Sequence, residues 1–166
     1  MADKSNFTSD EWKLLLESVM MAGIAVTAAD PSGLWGLLKE SFASSSELVK
    51  VRMDPSANPL IKAVVSGFGN AEGRSAARDG LKEKLTGLKP AEIPAKCVEA
   101  LRQAGEVLDA KAPADAAAFK GWLRQISQHV AEAAPEGGFL GIGGVQVSDK
   151  EKATLKEISD ALKLPA

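Results

Sequence analysis

The sequence predicts an all-α fold, a compact bundle of six to eight helices arranged around a central N-terminal helix. Apolar residues recur at three- and four-residue intervals along most of the 166 residues, and this period is typical of amphipathic helices. Short connections containing proline and glycine separate the apolar segments. Alternation of period two appears only from Leu140 to Val147. We therefore interpret residues 1–166 as a single helical domain.

The helix predicted from Ser9 to Ala29 has almost no polar face. The segment Thr8–Glu11 before it has the spacing of a capping box, and Phe7 and Trp12 stand where a hydrophobic staple places its two residues. A helix that is apolar on nearly all sides is normally buried, so we expect this one at the centre of the bundle. Residues 1–6 are predicted to be a loose terminus.

The remaining helices are predicted from apolar spacing and from capping residues. Asn58 before Pro59, and the capping-box spacing of Ser148–Glu151, mark two helix starts. Gly73 and Gly80 weaken the prediction around them, because glycine disfavours helix interiors. The predicted segments are 34–42, 46–51 (a new helix or a kinked continuation of the preceding one), 59–66, 71–88, 93–112, 113–133 and 149–162.

Charge and composition exclude several classes of function. The formal net charge of −2 gives no overall field that would draw the chain to nucleic acid or to anionic lipid. The single cysteine, Cys97, excludes an internal disulfide framework and fits a reducing compartment. Together with the single histidine, His129, it cannot supply a Cys/His zinc site within one chain. We predict that Cys97 is a small buried apolar residue and that His129 is a partly buried structural histidine, with no Asp or Ser at helical spacing.

The apolar run from Leu14 to Ala29 could be mistaken for a signal peptide or a membrane span. Glu17 interrupts the run, and acidic as well as basic residues precede it. A secretory segment has a basic flank and an uninterrupted apolar region, and a membrane span needs roughly 20 apolar residues. We therefore predict a buried helix in a cytoplasmic protein that does not bind a membrane.

The glycine-rich stretch 136–148 is the most site-like part of the sequence. It leads into a predicted helix N-terminus at Ser148, where backbone amides favour an anion. Its candidate ligand-binding residues are Gly141, Gly143, Gly144 and Ser148. The stretch matches neither the P-loop nor the dinucleotide-binding glycine pattern. We therefore favour a packed apolar loop over a phosphate site. The Gly143-Gly144 pair also predicts a tiny β-ribbon at 139–147.

A basic face is predicted on the helix that follows Ala71. Arg74, Arg78 and Lys82 are spaced four residues apart and therefore share one side of the helix. They could bind a phosphate or an acidic partner. Acidic residues lie beside them, and no aromatic residue is available there to stack on a base. We favour a solvated charged face.

Two segments resemble the repeated unit of the TerB-like tellurite-resistance family. Segment 14–40 has an apolar helix, the motif Ala-Ala-Asp-x-x-Gly and a helix containing Glu40, and segment 143–162 has Gly-Gly-Val-Gln-Val-Ser-x-x-Glu before its helix. The resemblance, to this family or to a related bacterial helical family, covers less than a third of the chain. It implies a small cytoplasmic helical protein whose acidic residues bind a metal or a partner. The second unit departs from the pattern, since Ile142 and Gly143 replace the acid and its neighbour.

These observations lead to one preferred function and two alternatives. We expect a non-enzymatic cytoplasmic protein of interaction or stress-associated type, without a cofactor, which forms a homodimer or binds a protein partner. Trp35 and the Phe139–Leu140 pair are candidate interface residues, because aromatic residues are enriched in interfaces. One alternative is a small-ligand or anion-binding protein that uses the stretch 136–148. The other is a carboxylate metal site formed by Asp30 and Glu40.

Overall fold

The structure, a computed structural model, describes residues 2–29, 46–133 and 147–165. This part of the chain is all α-helical and contains no strand, which confirms the predicted fold class. Two short 3-10 helices, Lys4–Asn6 and Pro90–Glu92, accompany the α-helices. In the described ranges the α-helices are α1 (Ser9–Ala29), α2 (Ser46–Met53), α3 (Pro59–Gly67), α4 (Ala71–Leu85), α5 (Ile93–Lys111), α6 (Pro113–Ala133) and α7 (Asp149–Ala161).

Helix α1 begins where its sequence signals predict. The amide of Thr8 donates to Glu11 Oε2 at 2.8 Å, and the amide of Glu11 donates to Thr8 Oγ1 at 3.2 Å. The rings of Phe7 and Trp12 pack with their centroids 6.0 Å apart. The capping box and the staple therefore satisfy the first amides and fix the direction in which the chain enters the helix.

The N-terminal segment is more ordered than the sequence predicts. Residues 4–6 form a 3-10 turn whose N-cap, Asp3, accepts from the amide of Ser5 at 2.8 Å. The amide of Ala2 donates to Asp115 Oδ2 in α6, also at 2.8 Å. The expectation of a loose terminus is thus wrong for residues 2–6, because a buried carboxylate distant in sequence holds them.

Helix α1 is the centre of the bundle, as predicted. It packs most extensively against α5 and also against α4, α6 and α7. By length and composition it is the one helix in the described ranges that could span a membrane, and 78% of its most apolar 18-residue segment is buried inside the bundle. Here α1 serves as a core helix. Its buried side chains include Leu15, Leu16, Val19, Met21, Ala22, Ile24, Ala25, Val26 and Ala28.

Most of the other predicted elements are present with small changes in length. Asn58 caps α3 by accepting from the amides of Leu60 and Ile61. Ser148 and Glu151 form the predicted capping box of α7. The helix predicted to reach residue 88 ends at Leu85. The segment 34–42 and nearly all of the β-ribbon 139–147 lie outside the described residues.

A charged side chain lies inside the apolar surface of α1. Glu17 is completely buried, and its Oε2 pairs with the ammonium of Lys84 in α4. Its Oε1 lies 3.9 Å from Lys13 Nζ and accepts no hydrogen bond from the described residues. Because an unpaired buried charge is strongly unfavourable, Lys84 must sit over this point. The ion pair therefore fixes the position of α4 along α1.

The two glycines that weaken the helical prediction for α4 both provide space. A Cβ atom built on Gly80 would overlap the carboxylate of Glu17, and one built on Gly73 would overlap the carbonyl oxygen of Gly67. The helix continues through both positions, since close packing outweighs an intrinsic preference of only about 1 kcal/mol. Glycine is therefore required at these two positions because neighbouring atoms leave no room for a side chain, and not because the α4 backbone needs an unusual conformation.

Substitution of Gly80 by alanine tests whether space or helix propensity decides, because steric overlap lowers the free energy of unfolding whereas propensity alone would raise it. We expect Gly80→Ala to lower the free energy of unfolding by about 1–3 kcal/mol, because the added methyl group displaces the Glu17 carboxylate. Gly121 in α6 is the matched control, since a Cβ there meets nothing within 4 Å. Gly121→Ala should raise stability by up to about 1 kcal/mol. Urea denaturation measures both, and a stabilised Gly80→Ala variant would contradict the packing argument.

The buried ion pair of Glu17 and Lys84 predicts that removing one of the two charges destabilises the protein more than removing both. Lys84→Met leaves Glu17 without its nearest cation and should destabilise the protein by about 2–4 kcal/mol. The double variant Glu17→Met/Lys84→Met removes both charges and should be more stable than Lys84→Met alone. Lys156→Met, which removes the cation of an exposed pair with Asp160, should change stability by less than about 1 kcal/mol. Equal losses for Lys84→Met and Lys156→Met in thermal and urea unfolding would refute the role of Glu17.

Candidate interaction surface

The structure describes the glycine-rich candidate site only at its C-terminal end, residues 147 and 148. Gly141, Gly143 and Gly144 lie outside the described residues. Ser148 is described, and its Oγ accepts from the amide of Glu151 at 3.2 Å as the N-cap of α7. This hydroxyl therefore caps the N-terminus of α7. Val147, near the end of the stretch, is partly buried against the core.

The candidate metal residues and the candidate interface aromatics are also outside this part of the structure. Asp30 and Glu40, together with Trp35 and Phe139–Leu140, fall in the gaps 30–45 and 134–146. Among residues 2–29, 46–133 and 147–165, no group of three or more His, Cys, Asp or Glu side chains is placed to hold a metal ion.

The predicted basic face of α4 is exposed. Arg74, Arg78 and Lys82 all lie on the solvent side of the helix. Within the described residues, Arg74 is the one of the three whose side chain makes a hydrogen bond, in which its Nη1 donates to the carbonyl of Phe68 at 2.9 Å. This contact places one cation of the face beside the turn that connects α3 to α4.

Cys97 and His129 occupy the environments that the sequence predicts. The Cys97 side chain is completely buried, and this burial raises the pKa of its thiol to about 12. His129 is partly buried, and its Nδ1 lies 2.9 Å from Oε1 of Glu47 in α2. The sequence did not indicate this acidic partner, because Glu47 comes from a different helix.

Helix α2 carries the most unusual surface of the described residues. Val49 is 46% exposed and Met53 is 79% exposed, and they are the exposed large apolar residues of residues 2–29, 46–133 and 147–165. They are four residues apart and therefore share one face of the helix. The opposite face is buried through Leu48 and Val51. We call the exposed pair the α2 apolar pair.

A buried carboxylate anchors α2 to the bundle. The Glu47 side chain is only 6% exposed, and its Oε1 lies 2.6 Å from Lys50 Nζ and 2.9 Å from His129 Nδ1. Lys50 belongs to α2 itself, whereas His129 belongs to α6. The apolar packing of α2 is mainly against α3. This close approach to α6 adds a second point of contact for α2 besides its packing on α3.

A groove of about 510 Å³ runs between α2, α3 and the turn after α3. Its walls include two cations, Arg52 from α2 and Lys62 from α3, and no acidic residue. The other lining residues are neutral: Val51, Val65, Ser66, Gly69 and Asn70. We call this feature the basic groove. Arg52 directly precedes Met53 on α2, although neither Val49 nor Met53 lines the groove.

The cations of the basic groove keep donors available. Lys62 Nζ donates to the carbonyl of Pro55 at 2.6 Å, which uses one of the three N–H groups of an ammonium. Arg52 makes no ion pair or hydrogen bond with the described part of the chain. A Cβ on Gly69 would lie 2.9 Å from Arg52 Nη2, so glycine there lets the guanidinium approach the turn. The nearest acid in sequence, Asp54, accepts from both the amide and the hydroxyl of Ser56, and these bonds lower its pKa.

The sequence predicts helical structure at 46–51, where α2 lies, but it does not predict the exposed surface of this helix. The segment Leu48–Val51 has apolar residues at helical spacing. The sequence pattern does not distinguish the exposed residues Val49 and Met53 from the buried residues Leu48 and Val51. The signal was the consecutive apolar run itself, because a helix that packs on one side cannot bury both Leu48 and Val49. Which of the two faces inward depends on α3 and α6.

No family model, no curated protein and no solved structure matches this chain.

Proposed function

We propose that this chain is a non-enzymatic interaction protein that binds another polypeptide through the α2 apolar pair. The observation that carries the proposal is the 79% exposure of Met53 beside Val49 on an anchored helix. Large apolar side chains that remain exposed together are typical of binding surfaces, and methionine is favoured in such surfaces because its side chain adapts to different partners.

The non-enzymatic part of the proposal is supported by the roles of the reactive side chains. The Cys97 thiol is buried in the apolar core, where its raised pKa keeps it protonated. His129 lies against Glu47 and orients α2. Asp115 accepts from Ala2 and Asn58 and joins the N-terminal segment to α3. In the described ranges these groups stabilise the fold, and we propose the same cytoplasmic setting that the composition favours.

The proposal is tested by selecting peptides from a random displayed library on the immobilised full-length protein. Selected peptides should bind the wild type and lose at least about tenfold in affinity for the Val49→Ser/Met53→Ser variant, because burial of a methionine side chain contributes about 1.5–3 kcal/mol. Both positions are exposed, so the variant should unfold at nearly the wild-type denaturant concentration. Biolayer interferometry measures the affinities.

The control variant is Ala117→Gln, an exposed substitution on α6, which should leave peptide binding unchanged. Sedimentation velocity of the protein alone shows whether the partner is a second copy, and in that case Val49→Ser/Met53→Ser should abolish the dimer. Absence of both peptide binding and self-association, or binding that is equal for wild type and the α2 variant, would overturn the proposed function.

A labelling experiment tests the assignment of Cys97. Because only the thiolate reacts with iodoacetamide, a buried thiol with a pKa raised to about 12 should remain unmodified in the native protein at pH 8. The same thiol should be modified completely in denaturant. Mass spectrometry gives the labelled fraction over time. Rapid modification of the native protein would identify an accessible nucleophile and would contradict the structural role of Cys97.

A further inference from the structure

The basic groove and the α2 apolar pair are both built in part from α2. Arg52 lines the groove and is adjacent in sequence to Met53, whose side chain is exposed. Lys62 lines the other side of the groove from α3. A partner segment that covers Met53 and continues past Arg52 into the groove would meet both cations of its lining.

We propose that the partner segment is acidic, with an apolar side chain on Met53 and Val49 and a carboxylate in the basic groove between Arg52 and Lys62. This proposal rests on the proposed function and names the chemistry of its partner. The recognised unit is a short peptide segment in which aspartate or glutamate lies next to a large apolar residue.

Charge is the first argument for an acidic segment. The groove lining contains two cations and no anion, although the chain as a whole has a formal net charge of −2. The guanidinium of Arg52 is without an ion-pair partner in the described residues, and Arg74 Nη1 donates to the carbonyl of Phe68, the residue before Gly69 of the groove lining. A carboxylate entering here meets a local positive field, and an arginine can hold it with two parallel hydrogen bonds.

The neutral donors of the groove are the second argument. Asn70 uses its Oδ1 to accept from the amide of Gly73 at 2.7 Å, which leaves its amide NH₂ group as a donor. The hydroxyl of Ser66 is also part of the lining. A carboxylate has only acceptors, so it complements a wall in which the cations and the amide group all donate.

The same charges argue against a second copy of this chain as the partner. In a two-fold symmetric dimer each surface faces its own copy. The α2 surface of one protomer would then bring Lys50, Arg52 and Lys62 towards the same three cations of the other. Like charges across an interface are destabilising, and the α2–α3 connection offers one exposed acid, Asp54, to oppose them.

An anionic membrane is a less suitable partner than a peptide. Helix α2 has eight residues and offers two exposed apolar side chains, which is a small area compared with membrane-binding amphipathic helices. The cations of the site lie along a groove, whereas a lipid surface is flat. The negative net charge of the whole chain also opposes binding to an anionic bilayer.

The test uses peptides selected on the full-length protein, together with copies in which each Asp or Glu is changed to Asn or Gln. The selected peptides should be enriched in acidic residues, and their neutral copies should bind roughly 5- to 30-fold more weakly. On the Arg52→Gln/Lys62→Gln variant, acidic peptides and neutral copies should bind equally. The matched control, Arg78→Gln/Lys82→Gln, removes two exposed cations from α4 and should preserve the preference for acidic peptides.

The outcomes separate this inference from the function on which it rests. Peptides that bind through Val49 and Met53 without an acidic preference would overturn the acidic partner and leave the interaction function standing. A dimer abolished by Val49→Ser/Met53→Ser would do the same. Binding to phosphatidylserine vesicles but to no peptide would overturn both proposals, since the surface would then recognise lipid. Circular dichroism and urea unfolding of each variant show whether a loss of binding reflects a loss of folding.

Discussion

The burial of Glu17 inside α1 is the constraint on which the packing of the bundle depends. The buried surface of the helix is otherwise mostly apolar and contacts five of the other described α-helices, and apolar contact alone is not directional. The carboxylate removes this freedom, because it must meet the ammonium of Lys84 and needs the space left by Gly80. A buried polar contact of this kind specifies one arrangement among many of similar apolar area.

A related arrangement operates at the edge of the bundle, where α2 is held. Leu48 and Val51 supply its apolar packing, and the buried Glu47 joins it to His129 of α6. A short helix with so few buried residues would be poorly oriented by apolar contact alone, since such contact is not directional. The polar contact allows α2 to present exposed apolar residues to solvent while remaining in place. Two buried carboxylates thus have related roles: Glu17 positions α4 on α1 at the centre of the bundle, and Glu47 positions α2 and its exposed apolar residues at the edge.

The elements with local signals were predictable from the sequence. Helix α1, its capping box at Thr8 and Glu11, and the Asn58 and Ser148 caps all depend on residues within a few positions of one another. The central position of α1 followed from its lack of a polar face. The burial of Cys97 followed from its place on an apolar stripe. In each case the local pattern carries the information, because helix starts and helix faces are short-range properties.

The sequence by itself determined that the chain is helical, where the helices start and which helix is central. Only the tertiary structure decided how the charged and glycine residues are used. Glu17 meets Lys84 across 67 positions, Ala2 meets Asp115 across 113, and Glu47 meets His129 from another helix. No local pattern encodes such pairs, since they depend on which helix faces pack together. The exposed side of α2 and its groove were decided in the same way, by what α3 and α6 leave uncovered.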